Sequence, residues 1–260
     1  MLSALRQRLV QGHRTIRFPH ALPALPDRYR GRPAIDRERC AGADCDACVR
    51  ACPTGAIAAT GGRLALDLGR CLFCADCVEA CPEGAIRFTT DWRMATRGRD
   101  DLVVGDGALR LAEALDARTR RLFGRALRLR QVSAGGCNAC EADTNVLNTI
   151  GFDLGRFGVQ FVASPRHADG VLITGPVTAN MELALQKTID AVPEPRLVIA
   201  VGACAISGGP YLGHPEARVG VPAGVHVDLF VPGCPPHPIT ILDGLLRLLG
   251  RYELPAPNEP

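Results

Sequence analysis

AIDRERCAGADCDACVRACPTGAIAAT, residues 34–60, is matched nearly in step by ALDLGRCLFCADCVEACPEGAIRFTT, residues 65–90. Each copy starts with a short apolar run, passes through four cysteines, closes on Cys-Pro-x-Gly-Ala-Ile and ends in another short apolar run. That order predicts a strand, a cysteine-rich loop, a short helical turn ending at Cys-Pro and a second strand, used twice. A unit this small cannot build a core from side chains alone, so a bound group has to organise it.

The cysteine spacing names the candidate. The second copy reads Cys71, Cys74, Cys77, Cys81 and Pro82, and the first Cys40, Cys45, Cys48, Cys52 and Pro53, with a first gap two residues longer. The C-x2-C-x2-C-x3-C-P run resembles bacterial two-cluster ferredoxins, in which three thiolates of one loop take three corners of a cubane and the remote fourth cysteine closes the other cluster. By that logic Cys40, Cys45, Cys48 and Cys81 hold one 4Fe-4S cluster, and Cys71, Cys74, Cys77 and Cys52 the other. Zinc is the alternative for paired CxxC motifs, but zinc sites seldom use three cysteines at two-residue intervals followed by Cys-Pro, twice over.

The rest of the 260-residue chain is long enough for a second, larger domain. Its twelve cysteines lie in clusters rather than scattered as a disulfide framework, which fits metal ligation in a reducing cytoplasm. The first twenty residues lack the apolar run of a secretory signal. The longest apolar runs, such as LVIAVGACAI from Leu197, fall well short of the roughly 20 residues of a membrane span. Net charge is +3 but uneven: residues 1–39 hold nine Arg against three acids, and residues 110–130 seven Arg against two. Few aromatics accompany them, and the chain has a single Lys, so a solvated or partner-docking basic surface is expected and nucleic acid is not. Leu2, Leu5 and Leu9 would share one face of a helix over residues 1–10, with arginines beside them, suiting a membrane surface or a partner.

Beyond Asp91 cysteines vanish. DGALRLAEALDARTRRLFG, from Asp106, has helically spaced leucines and reads as a linker helix. From Arg125, ALRLRQV, GVQFVA, GVLITG, LVIAVG and VHVDLFV read as strands, with helices at 141–150, 182–192 and 239–249 between or after them. The expected fold is therefore α/β: a two-cluster ferredoxin-like α+β domain followed by a flavodoxin-like α/β domain with a mainly parallel sheet. The expected boundaries are a basic arm at 1–33, the ferredoxin domain at 34–90, linker and helix at 91–125, the second domain at 126–250 and a tail at 251–260.

Four cysteines remain: Cys137 and Cys140 in GGCNACEAD (135–143), Cys204 in VGACAISGGP and Cys234 in VPGCPPHP. Cys137, Cys204 and Cys234 each follow a predicted strand, and in an open parallel sheet the carboxyl ends of the strands share one crevice. Buried cysteines with no ligand role are the plain alternative for Cys204 and Cys234. No Gly-rich loop of the G-x-G-x-x-G kind follows the first strand, which argues against a flavin or dinucleotide there.

GGCNACEAD, SPRHADGVLITGPVT, VPEPRLVIAVGACAISGG and VPGCPPHP resemble, in order, the small subunit of group 4 energy-converting membrane NiFe hydrogenases and formate hydrogenlyase, homologous to the B subunit of respiratory complex I. The lead-in LPDRYRGRPAI looks like that of ferredoxin-type subunits of the same complexes. Complex I proteins usually have adjacent cysteines at the first ligand position, whereas Cys137, Asn138, Cys140 and Glu141 follow the hydrogenase form. The resemblance implies that Cys137, Cys140, Cys204 and Cys234 hold a third 4Fe-4S cluster, with Glu141, Arg166 and His167 supplying hydrogen bonds or charge that tune it. It implies an oxidoreductase subunit without catalytic residues of its own, passing electrons through three 4Fe-4S clusters to or from a NiFe site in a separate large subunit resembling the complex I D subunit. Integral membrane subunits, and a formate dehydrogenase or another donor, are the further partners implied, with the chain peripheral at the cytoplasmic face. The alternatives are the equivalent subunit of a complex I-like quinone oxidoreductase or nickel-free hydrogenase-related complex and, from another class, a zinc-stabilised interaction protein.

Overall fold

Two runs too apolar to face water on either side, GVLIT and LVIAV, form adjacent strands buried along their whole length, β8 (Gly170–Thr174) and β9 (Leu197–Val201). They sit inside a five-stranded sheet of order β10-β9-β8-β6-β7, all pairs parallel, with β6 at Leu127–Ser133, β7 at Val159–Phe161 and β10 at Leu229–Val231. Continuous apolar strands are what a parallel sheet covered on both faces requires. Read from β7, the order is the flavodoxin-like 2-1-3-4-5, with its switch point between β6 and β8. The computed structural model describes residues 2–42, 45–60, 63–105, 109–123 and 125–251.

Side chains alternate between the two faces. Leu129, Leu172, Ile199, Val201 and Val231 join one core with α8 (Pro238–Leu248), while Val132, Val171, Ile173 and Val198 join another with Leu185 and Ile189 of α6 (Ala179–Ala191). Every residue of α8 is buried, including an Asp243–Arg247 ion pair at 3.0 Å. A helix apolar nearly all round belongs in an interior, and residues 112–123 supply the outer cover.

The N-terminal half repeats one unit. Strand β1 (Pro33–Ile35), helix α2 (Ala47–Ala51) and strand β2 (Ile57–Thr60) are followed by β3 (Arg63–Asp67), α3 (Asp76–Ala80) and β4 (Ile86–Phe88). The ribbon β1-β4 and the sheet β2-β3-β5, with β5 at Val103–Val104, are both antiparallel. The halves share a core: Leu64, Leu66 and Ile86 cluster with Ala200, Ala205 and Ile206. Ser207 Oγ donates to Gly69 O at 2.9 Å, and Arg99 makes a two-pronged ion pair with Asp67 at 2.9 and 2.7 Å.

Several sequence expectations change in extent. Residues 109–116 are not helical; only α4 (Ala117–Phe123) is. Tertiary bonds take the backbone that a helix would need: Ala112 N–H donates to Ala95 O and Leu115 N–H to Leu248 O. Asp116 then starts the helix by accepting from the N–H groups of Arg118 and Thr119. The predicted strand VHVDLFV shortens to Leu229–Val231, because Asp228 turns its carboxylate to the Val198 N–H at 2.9 Å. The N-terminal helix is observed as α1 (Leu2–Gln11), and the second domain's first helix as α5 (Ala139–Val146). Met1, the predicted helix start at Asp106 and tail residues 252–260 lie outside the described residues.

Candidate metal centres

Each short helix of the repeat stops where its fourth cysteine precedes proline. Cys52 and Cys81 are extended, with φ/ψ of −76/113 and −78/110, because a following proline disfavours the helical region. Both side chains therefore leave their own loops. Cys81 lines a cavity with Cys40, Cys45 and Cys48, and Cys52 lines another with Cys71, Cys74 and Cys77.

The thiols in each cavity face one another without a cationic side chain among the lining residues. Burial, reinforced by the neighbouring sulfurs, pushes Cys71 up to about 12 and Cys77 up to about 11, and raises Cys48. Backbone N–H groups point at sulfur: Ala56 to Cys52 at 3.2 Å, Ala85 to Cys81 at 3.3 Å, and Phe73 to Cys71 at 3.4 Å. Four thiols around one space, with amide donors and no cationic side chain, suit thiolates around a cationic core, and such hydrogen bonds tune iron–sulfur potentials. Among the described residues no group of three or more His, Cys, Asp or Glu side chains gathers closely enough for a single metal ion; the thiols stand around a space instead.

The other four cysteines meet above the sheet. Cys137 and Cys234 lie on loops after the carboxyl ends of β6 and β10, Cys204 on the short helix Ala203–Ser207 that follows β9, and Cys140 on α5. Cys140, Cys204 and Cys234 are raised by burial first and by their neighbouring sulfurs second, Cys204 to about 12. Gly202, with φ +89°, permits this approach: a Cβ there would stand 2.5 Å from Cys140 Sγ. The Ala203 N–H donates to Gly233 O at 2.8 Å, tying the start of the Cys204 helix to the Cys234 loop.

Glu141 is buried at the switch point, and its Oε1 accepts from Ser133 Oγ of β6 and Thr174 Oγ1 of β8, each at 2.6 Å. Arg166 and His167 are exposed on a 3-10 turn leading into the amino end of β8, opposite the cysteine loops, so the structure does not bring them to this set. Their place in SPRHAD, ahead of a strand rather than behind one, is the physical reason. Sequence reading missed Ser133, Thr174 and Tyr211, whose hydroxyl is raised by burial and by the charges of Cys137, Cys204 and Cys234. A hydroxyl residue at the last position of each of two strands, Ser133 after LRLRQV and Thr174 after GVLI, was the available signal for the first two.

The loop of the second set lies against that of the third: Phe73, beside Cys74, and Gly233 and Pro235, flanking Cys234, line one cavity, and the charge of Cys48 contributes to raising Cys77. Arg30 holds the loop between the second and third sets, donating to Phe73 O at 3.0 Å and Cys74 O at 2.8 Å.

Residues 137–248 match the family described as NADH ubiquinone oxidoreductase, 20 kDa subunit, and residues 39–85 match the 4Fe-4S dicluster domain. A probable membrane-bound hydrogenase subunit of Pyrococcus furiosus is 39% identical over 129 residues, 50% of this chain and 77% of the relative. The chain belongs to the 20 kDa subunit family. The B-type subunit of an NADH-quinone oxidoreductase from Heliobacterium modesticaldum is also 39% identical, over 47% of this chain and 71% of its own length. A chain in the solved structure of the membrane-bound sulfane sulfur reductase, an archaeal respiratory membrane complex, aligns at 30% identity and TM-score 0.46 over 52% of this chain and 75% of that one. As a family member with a 4Fe-4S dicluster domain, this chain is an iron–sulfur electron-transfer subunit of a complex I-like oxidoreductase. No described helix is long and apolar enough to cross a membrane.

Proposed function

We propose that this chain holds three 4Fe-4S clusters in a row and conducts electrons between a donor and a NiFe centre carried by a separate large subunit of a membrane-bound hydrogenase. When bound, such clusters supply one-electron transfer at potentials set by sulfur hydrogen bonding and exposure. Cys40, Cys45, Cys48 and Cys81 hold the first, Cys52, Cys71, Cys74 and Cys77 the second, and Cys137, Cys140, Cys204 and Cys234 the third. The observation that carries this reading is the shared cavity of the Cys74 and Cys234 loops, lined by Phe73, Gly233 and Pro235, which makes the second set the bridge between the first and the third. The amide donors at Ala56, Phe73 and Ala85 stabilise sulfur charge, Arg30 fixes the bridging loop, and Glu141 pins the third set to the switch point. The crossed Cys52 and Cys81 lock the two repeats together. The domain division 34–90 and 126–250 follows the same assignment, with residues 91–125 joining the halves. The chain lies at the cytoplasmic face through its partners.

The hydrogenase form of Cys137-Asn138-x-Cys140-Glu141 favours nickel, whereas equal 39% identity to hydrogenase and quinone oxidoreductase subunits keeps a nickel-free complex as the competing reading. A tag on this chain should pull from detergent-solubilised membranes a complex that contains nickel and reduces dye with hydrogen. An intact, iron-rich complex lacking both would overturn the hydrogenase reading in favour of the nickel-free one.

A further inference from the structure

Helix α1 is the only α-helix among the described residues that buries nothing. Leu2, Leu5 and Leu9 are 85%, 60% and 85% exposed and lie along one stripe of it. On the helical wheel Arg6 falls on one side of that stripe and Arg8 on the other, with Val10 beyond Arg6. Residues 2–26 contain four arginines, two histidines and no Asp or Glu.

The arm is tethered just behind this helix. Ile16 N–H donates to Gly151 O at 2.8 Å, Arg156 Nη2 donates to Ile16 O at 2.8 Å and Phe18 O at 3.1 Å, and the Phe18 ring is buried in the core of the α/β sheet. Ile150, beside that tether, is itself exposed. On the same β7 edge, Leu127 N–H bonds Gly158 O, which brings the end of α4 close by, with Arg118, Arg120, Arg121 and Leu122 all exposed.

We infer that α1 lies flat on an anionic lipid surface, with Leu2, Leu5 and Leu9 among the acyl chains and the flanking arginines at the headgroup phosphates. An apolar stripe edged by arginine stems, in an arm without a carboxylate, has the charge and the width of an interfacial helix. A protein groove receiving so cationic an arm is the other class of occupant, and the test separates the two. One short helix binds membranes weakly and reversibly, so α1 orients the chain on the bilayer rather than anchoring it. The inference does not depend on metal content, so its failure leaves the proposed function standing.

The experiment is flotation of the cluster-loaded full chain with vesicles of phosphatidylcholine alone or mixed with phosphatidylglycerol. The wild type should partition onto the anionic vesicles at least about tenfold better than onto neutral ones and release as salt rises. Leu5→Glu/Leu9→Glu and Arg6→Gln/Arg8→Gln should each lose about tenfold or more, while iron content and visible absorption stay as in the wild type, because neither pair touches a cysteine set. Equal partition onto both vesicle types, variants that float like the wild type, or retention only by membranes carrying partner subunits and not by bare vesicles would each overturn the inference.

Discussion

Replacing Gly202 by alanine tests how tightly the third cysteine set is built. Gly202 has φ +89° and ψ 156°, a region that is essentially glycine-only, and holding another residue there costs about 1–3 kcal/mol. The new Cβ would stand 2.5 Å from Cys140 Sγ and 3.5 Å from Gly233 O. The sulfur cannot retreat freely, because the next residue, Glu141, is fixed to Ser133 and Thr174. Forcing a methyl into such packing costs a further ~1–3 kcal/mol. Together these remove roughly 2–6 kcal/mol from a total of about 5–15 kcal/mol, so the variant folds with a marked loss of stability. Gly213 is the control, with φ +85° and nothing within 4 Å of its would-be Cβ; alanine there meets only the backbone term, about 1–2 kcal/mol. Anaerobic urea unfolding and iron content after reconstitution read the outcome. Gly202→Ala should lower the urea midpoint well below that of Gly213→Ala and lose about four iron atoms per chain, the content of one cluster. Equal midpoints with full iron in both variants would refute the reasoning.

Cys81→Ser should empty the cavity of Cys40, Cys45 and Cys48 rather than that of its own repeat, and Cys52→Ser the reverse; spectroscopy of each variant, with the remaining cluster signals assigned by loop, checks the crossing. Glu141→Ala should cost about 2 kcal/mol by leaving the Ser133 hydroxyl without its acceptor, and Glu141→Gln less, since an amide oxygen still accepts; urea midpoints decide. His237 accepts the Ile239 N–H at the start of α8, and burial holds its pKa below the ordinary histidine value. The depressed value means that its contribution is complete above about pH 6.5 and is lost as pH falls through the folded pKa. Thermal stability should therefore drop on acidification by more in the wild type than in His237→Asn, which retains a capping oxygen but does not titrate.

The cysteine framework was legible in the sequence because its physical demand is local: three thiols in one loop and a Cys-Pro that ends a helical turn leave little conformational choice. The parallel strands were equally plain, since GVLIT and LVIAV are apolar without alternation. What misled was a pattern whose backbone was claimed from elsewhere. Residues 109–116 have helical leucine spacing, yet Ala112 and Leu115 spend their N–H groups on Ala95 and Leu248, partners distant in sequence. Similarly, no spacing rule separates Glu141, which turns inward at the switch point, from Arg166 and His167, which end up at the opposite end of the sheet. The meeting of the Cys74 and Cys234 loops arises from the packing of one half on the other, through contacts such as Ser207 with Gly69, and neither motif contains it.

The most direct test is the iron and acid-labile sulfide content of the full chain loaded under strictly anaerobic conditions. Three four-iron clusters predict a brown protein with about twelve iron and about twelve sulfide per chain. About eight of each, with Cys137→Ser unchanged from the wild type, would remove the third centre from the account, and a colourless, zinc-loaded protein would contradict it altogether.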